Sequence, residues 1–135
     1  MPSADGLLTV DEVGWALGRQ VTVAELPLVT PRSMSIRLFA VDGRRAVTVV
    51  VGRGLAARLA MGRGRGGTPL QGVGEEAYQG DGWAIARGGD RVVRVQVENG
   101  FGPLHPGRLT WLLSTAVSRL PDDQPRRDRP VDSSS

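Results

Sequence analysis

The sequence predicts an α+β fold, with about five short and mostly antiparallel strands packed against N-terminal and C-terminal helices. Three observations predict it. From Glu75 to Glu98 the chain alternates between strand-like runs and the glycine turns Gly80-Asp81-Gly82 and Gly88-Gly89-Asp90. Asp42-Gly43 separates two further alternating runs as a hairpin turn. Leu109, Leu112, Leu113, Ala116, Val117 and Leu120 repeat at helical spacing, giving one continuous apolar stripe.

The first helix is signposted by Thr9 and Glu12, which have capping-box spacing, and by Leu8 and Val13, which can form a hydrophobic staple. Val10, Val13 and Leu17 share one side of it, and Gly18 ends it. A strand is expected over Ser33–Ala40, with Met34, Ile36, Leu38 and Ala40 on one face, returning through Asp42-Gly43 into a central, valine-rich strand over Ala46–Val51. A short helix over Gly54–Met61 follows, with Leu55 and Leu59 one turn apart. Gly72 and Gly74 flank one apolar residue and supply a tight turn before the meander. In that meander Trp83 and Ile85 share a face, and Val93, Val95 and Val97 point one way while Arg94, Gln96 and Glu98 point the other. One wet face and one buried face are expected, the helices covering the buried one. Pro121 stops the last helix.

Beyond Pro121 the chain is rich in Pro, Asp, Arg and Ser. The expected organisation is a flexible N-terminus over 1–6, one α+β domain over 7–121 and a disordered tail over 122–135. With no cysteine, disulfides and thiolate sites are excluded. No apolar run reaches membrane-spanning length and no secretory signal is read, so a cytoplasmic location is expected.

The net charge is +3, and all 17 basic residues are arginine. A GC-rich genome explains that usage; selection for bidentate anion contacts explains it as well. Between Gly43 and Gly74 there is no acidic residue. Arg53, Arg58, Arg63 and Arg65 in this stretch are the candidate anion-binding residues. Gly62-Arg63-Gly64-Arg65-Gly66-Gly67 is similar to the arginine–glycine segments of RNA-binding proteins, although no aromatic residue interleaves it. It reads equally as a solvated, mobile loop between helix and sheet. Gly52-Arg53-Gly54-Leu55-Ala56-Ala57 matches a dinucleotide-binding glycine pattern, but the chain continues as a meander without the required βαβ unit. No cofactor is expected.

Catalytic and metal-binding patterns are scarce. His105 is the only histidine, and its position suits capping of the last helix or exposure to solvent; as a general base it would need positioned partners. Adjacent Glu75 and Glu76 point to opposite faces of a strand and do not make a carboxylate pair. No metal-ligand spacing and no nucleophile–base pattern occurs. Trp111 lies almost opposite the apolar stripe of the last helix, beside Ser114, Thr115 and Ser118. These four are the candidate partner-binding residues, unless a loop such as 100–103 folds over the indole.

Two short motifs carry a family resemblance. Leu7-Leu8-Thr9-Val10-Asp11-Glu12-Val13 with Ala16-Leu17-Gly18, and Gly72-Val73-Gly74-Glu75-Glu76-Ala77-Tyr78, resemble a family of small actinobacterial α+β domains of unknown function that includes LpqN-like lipoproteins. The resemblance spans residues 7–120. It implies a PsbP-like antiparallel sheet packed on helices and supplies no catalytic residues. Gly72, Gly74, Ala77 and Tyr78 are then structural motif positions. The chain departs from that family in lacking cysteines and an export signal. The expectation is a non-catalytic interaction module binding a protein partner, itself or a small apolar molecule between sheet and helix. The alternatives are anion or RNA binding through residues 52–67, and a small enzyme built around His105 or Glu76.

Overall fold

The computed structural model describes residues 6–24, 34–98 and 105–120. The expected tail, the first five residues and the loop proposed to cover Trp111 lie outside the described residues. In chain order the elements are α1 (Val10–Leu17), β1 (Thr22–Ala24), β2 (Met34–Val41), β3 (Arg44–Arg53), α2 (Gly54–Gly64), β4 (Thr68–Pro69), β5 (Glu76–Gly80), β6 (Trp83–Gly88), β7 (Arg91–Val97) and α3 (Pro106–Ser118). The fold is α+β. Its strands form one sheet in the order β1-β2-β3-β7-β6-β5-β4, and every pairing is antiparallel.

The described residues hold seven strands, against an expectation of about five. The two additional ones, β1 and β4, are edge strands of three and two residues, too short to show a period of two. β3 is central, flanked by β2 and β7. Its hairpin with β2 turns at Asp42 and Gly43, both left-handed, with φ of 52° and 78°, as a two-residue turn requires.

One face of the sheet carries the main core. Val47, Val49 and Val51 of β3 and Val93, Val95 and Val97 of β7 lie beneath α1 and α3. The alanines Ala77, Ala84 and Ala86 of β5 and β6 sit in the same cluster with Leu109, Leu112, Leu113 and Ala116 of α3. Small residues there leave room for the leucine stripe. α1 is held at its N-terminus by the reciprocal Thr9–Glu12 box, with bonds of 2.9 and 3.1 Å. It buries Val13 and Ala16 and leaves Val10 exposed. The bidentate bonds of Arg119 to Glu12, both 2.6 Å, tie the end of α3 to the start of α1. The same contact holds the Glu12 carboxyl below its ordinary range.

The opposite face is not simply wet. α2 lies on it, placing Ala57 and Met61 in a second cluster with Ile85 and Val92, next to Tyr78 and Trp83. Leu55 and Leu59, the apolar pair one turn apart, point away from the sheet and are 68% and 56% exposed. Steric room explains the choice. At Gly64, a Cβ would lie 2.5 Å from Cγ2 of buried Ile85, so the helix sits too close to the sheet for leucine to serve as its contact residue. The β2 row Met34, Ile36 and Leu38 shares one face as expected, but that face is not the one carrying the main core. Phe39 and Val41 enter the main core, while Met34 and Ile36, opposite Gly52 and Val50, are half-buried towards the α2 side. The register shifts between Phe39 and Ala40, where Ala46 of β3 is the extra residue, and the alternation of β2 is unbroken.

Candidate functional site

The Gly72–Tyr78 motif is built for structure. Gly72 and Gly74 have φ of 75° and 60°, and buried Val73 between them joins the main core. A Cβ on Gly74 would stand 2.6 Å from the Arg87 carbonyl oxygen. That close approach lets Glu75 N donate to the same oxygen at 2.8 Å, continuing the β5–β6 pairing. Ala77 is buried, and the Tyr78 hydroxyl donates to Glu76 Oε2 at 2.7 Å.

Glu75 and Glu76 were expected to diverge. They converge instead on one guanidinium, because Glu75 precedes the strand and Glu76 begins it. Arg87 Nη1 donates to Glu75 Oε1 at 2.8 Å, and Arg87 Nε lies 3.8 Å from Glu76 Oε1. Glu75 also accepts from Gly89 N at 2.8 Å. That backbone bond, then Arg87, lowers its pKa. Glu76 receives Arg65 Nε at 2.8 Å. The Arg65 bond and then the Tyr78 hydroxyl hold Glu76 down at about 2. Arg65, Glu76 and Arg87, with Arg58 and Asp90, border an opening of about 530 Å³ on one flank of α2, where cations and carboxylates stand together.

The other flank differs. A cavity of about 560 Å³ opens between α2 and the sheet. Ala57 and Ala60 form its helix wall, and Val50, Val92, Met34 and Trp83 are among the sheet residues that line it. Among the described residues that line it, the charged ones are Arg63, from the last turn of α2, and Arg94 of β7, and none is a carboxylate. The Arg94 guanidinium sits 5.1 Å from the Trp83 ring centroid, and its Nη2 donates to Gln96 Oε1 at 3.3 Å. Burial, and secondarily the charge of Arg63, lower the Arg94 pKa. Among the described residues, neither Arg63 nor Arg94 forms an ion pair with a carboxylate.

The four candidate anion-binding arginines are therefore divided. Arg65 is engaged by Glu76, Arg63 borders the cavity, Arg58 is exposed at the edge of the 530 Å³ opening, and Arg53 is exposed at the start of α2. The arginine–glycine segment is not the mobile loop expected. Gly62, Arg63 and Gly64 belong to α2, and the following turn is closed by Gly67 N donating to Gly64 O at 3.0 Å. Two of its glycines serve packing: a Cβ on Gly64 would meet Ile85, and a Cβ on Gly67 would meet the Gln79 carbonyl oxygen and the Trp83 ring, each at 2.8 Å. The dinucleotide-like pattern does join a strand to a helix, β3 to α2, but the chain returns through antiparallel strands. That removes the βαβ geometry the pattern requires.

His105 caps α3, its Nδ1 accepting from Gly107 N at 3.0 Å. It belongs to the α3 side of the sheet, whereas Glu76 faces α2, so the two do not share a site. Among the described residues no group of three or more His, Asp or Glu is arranged to hold a metal ion. Nor is any helix among them long and apolar enough to cross a membrane. Trp111 is 40% exposed and meets Trp15 of α1 edge-on, with centroids 5.0 Å apart; Trp15 is 53% exposed. Arg108 lies 5.1 Å over the Trp15 ring. Ser114 and Thr115 are half-buried, and the exposed Ser118 hydroxyl donates to the Thr115 carbonyl at 2.8 Å.

The cavity was not among the sequence-derived site residues, apart from Arg63. A signal existed in the alternation of β7, which sets Arg94 on the face of Trp83 and Ile85. The helix that closes the cavity could not be placed on that face from spacing alone. No protein-family profile, curated protein or solved structure matches this chain.

Proposed function

We propose that the protein is a non-catalytic binding module whose ligand is a small apolar molecule held between α2 and the sheet. The observation that carries this reading is the 560 Å³ cavity, walled by Ala57 and Ala60 and lined by Val50, Val92, Met34 and Trp83. Its size and mostly apolar lining suit a small-molecule site. The alanines matter because larger residues at those positions would fill the space.

The test uses the uncharged fluorophore N-phenylnaphthylamine. Saturable enhancement of its emission is expected with the wild-type protein and its loss with Ala60→Phe, which projects a ring into the cavity. No saturable binding, or equal binding by a folded Ala60→Phe protein, ends the reading.

A second reading is favoured by the exposed Trp15–Trp111 pair: self-association through the α1/α3 face. It predicts a concentration-dependent dimer in light-scattering chromatography that Trp111→Ala abolishes. A wild-type mass that stays monomeric at high concentration rejects it. Nucleic-acid binding through residues 52–67 has less support, because Arg65 is neutralised by Glu76 and the segment is helix and tight turn.

A further inference from the structure

We infer that the cavity beside α2 recognises an amphiphilic anion, its apolar body lodged against Val50, Val92 and Ala60 and its oxyanion held between Arg63 and Arg94. The inference rests on the binding reading above and adds the chemistry of the ligand.

Three observations lead to it. First, two cations and, among the described residues, no carboxylate border one cavity, although carboxylates stand across the same helix. Second, the Arg94 side chain is partly withdrawn from solvent and held by the Trp83 ring and the Gln96 amide, so its charge is presented at a fixed place. A fixed guanidinium loses less entropy on binding an oxyanion than a free one. Third, Arg63 sits close enough to Arg94 to disfavour the latter's charge. Two like charges over a shared apolar cavity are relieved by one bound anion, which can accept hydrogen bonds from both.

The remaining lining narrows the class. Gln96 is the other polar side chain at the cavity, and it already accepts from Arg94. Polyhydroxylated ligands would leave most of their hydroxyls against alanine and valine. A nucleotide would need polar contacts for base and ribose that this lining does not provide. A single carboxylate or phosphate ester on an apolar body satisfies the guanidiniums and the walls together.

The experiment is displacement of N-phenylnaphthylamine by decanoate, decyl phosphate and decanol at low ionic strength, with inorganic phosphate alone as a further arm. One of the two amphiphilic anions is expected to displace the probe at a concentration at least about ten-fold below decanol, the size of effect hydrogen bonds to charged groups produce. Which anion is favoured identifies the headgroup as carboxylate or phosphate. Inorganic phosphate is expected to displace nothing. In Arg63→Gln/Arg94→Gln the anion-to-alcohol ratio should fall towards one, whatever the absolute affinity for decanol. Arg63→Lys/Arg94→Lys should restore much of it. Equal displacement by anions and decanol in the wild type, or a ratio that survives the double glutamine variant, overturns the inference and leaves the cavity reading standing. A protein that binds neither probe nor decanol overturns both.

Discussion

On one flank of α2, Arg65 and Arg87 meet Glu75 and Glu76 in a compact ionic network; on the other, Arg63 and Arg94 face an apolar cavity without a carboxylate. The same residue type serves two purposes within one helix width. Where the guanidiniums are matched, they fasten the end of α2 to β5 and the β6–β7 turn. Where they are unmatched, the helix C-terminal dipole offsets part of the Arg63 charge, and Arg94 on its strand has the Trp83 ring and the Gln96 amide oxygen in place of a carboxylate. The network therefore stabilises the resting fold, and the cation pair is the part assigned to a ligand by the proposal above.

The largest way to break the comparison is to lift α2 from the sheet, which removes both flanks at once. Gly64→Leu forces a side chain into Ile85, where even a Cβ lies 2.5 Å from Cγ2. Overpacking of this kind costs about 1–3 kcal/mol. Leucine's better helix propensity returns no more than about 1 kcal/mol. Urea unfolding should show a net loss, and N-phenylnaphthylamine binding should disappear even where the protein remains folded. Unchanged probe binding by a folded Gly64→Leu protein would mean that the cavity does not depend on the seat of α2.

The next effect isolates the matched flank through pH. Glu76 is held at about 2, below its ordinary 4.5, chiefly by Arg65. A lowered carboxylate pKa means that the unfolded chain takes up the proton first on acidification. The stabilisation is complete above the unfolded pKa and is lost as pH falls from about 4.5 towards 2. Glu76→Gln should lower the thermal midpoint at pH 7 by about 2–5 °C. The gap from wild type should narrow as pH falls across that window. A gap that stays constant would remove Glu76 ionisation from the account.

The contrast between flanks was only partly legible in the sequence. Period-two alternation exposed β3, β6 and β7, because each carries an unbroken small-to-medium apolar row. The Asp42-Gly43 turn and the Thr9–Glu12 box were readable because their chemistry is local. The face that receives α2 was hidden. Arg94 looked like an ordinary solvent-facing residue of an alternating strand. Leu55 and Leu59 advertised a contact surface that the close approach at Gly64 gives to Ala57 and Met61. Such a choice depends on the distance between two elements, which periodicity does not encode. The Arg63-Gly64-Arg65 run misled for the same reason: its glycine signals flexibility in a list of residues, and Gly64 is tightly packed in the fold.

Neutralising single arginines sharpens the comparison with smaller effects. Arg65→Gln removes the main partner of Glu76 and should lower the thermal midpoint by about 1–4 °C. Arg63→Gln removes a like charge from beside Arg94 and should leave the midpoint unchanged or raise it by about 1 °C. Both variants change charge by the same amount, so a general effect of net charge would move them together. Opposite signs in differential scanning calorimetry support the assignment of one flank to structure and the other to binding. A loss with Arg63→Gln as large as that with Arg65→Gln contradicts it.

Salt gives the finest discrimination. Screening shortens from about 10 Å at 0.1 M to about 3 Å at 1 M, so attraction and repulsion between these exposed groups weaken together. The destabilisation by Arg65→Gln should shrink towards zero as salt is raised, and any stabilisation by Arg63→Gln should shrink towards zero from the other side. Comparing each variant with wild type at the same salt cancels the general effect of salt on hydrophobic burial. Convergence from opposite directions requires that Arg63 be repelled in the resting protein. If the Arg63→Gln difference does not respond to salt, then Arg63 and Arg94 do not interact through their charges. The cavity would in that case present two independent cations, and an anion bridging both would lose its electrostatic motive.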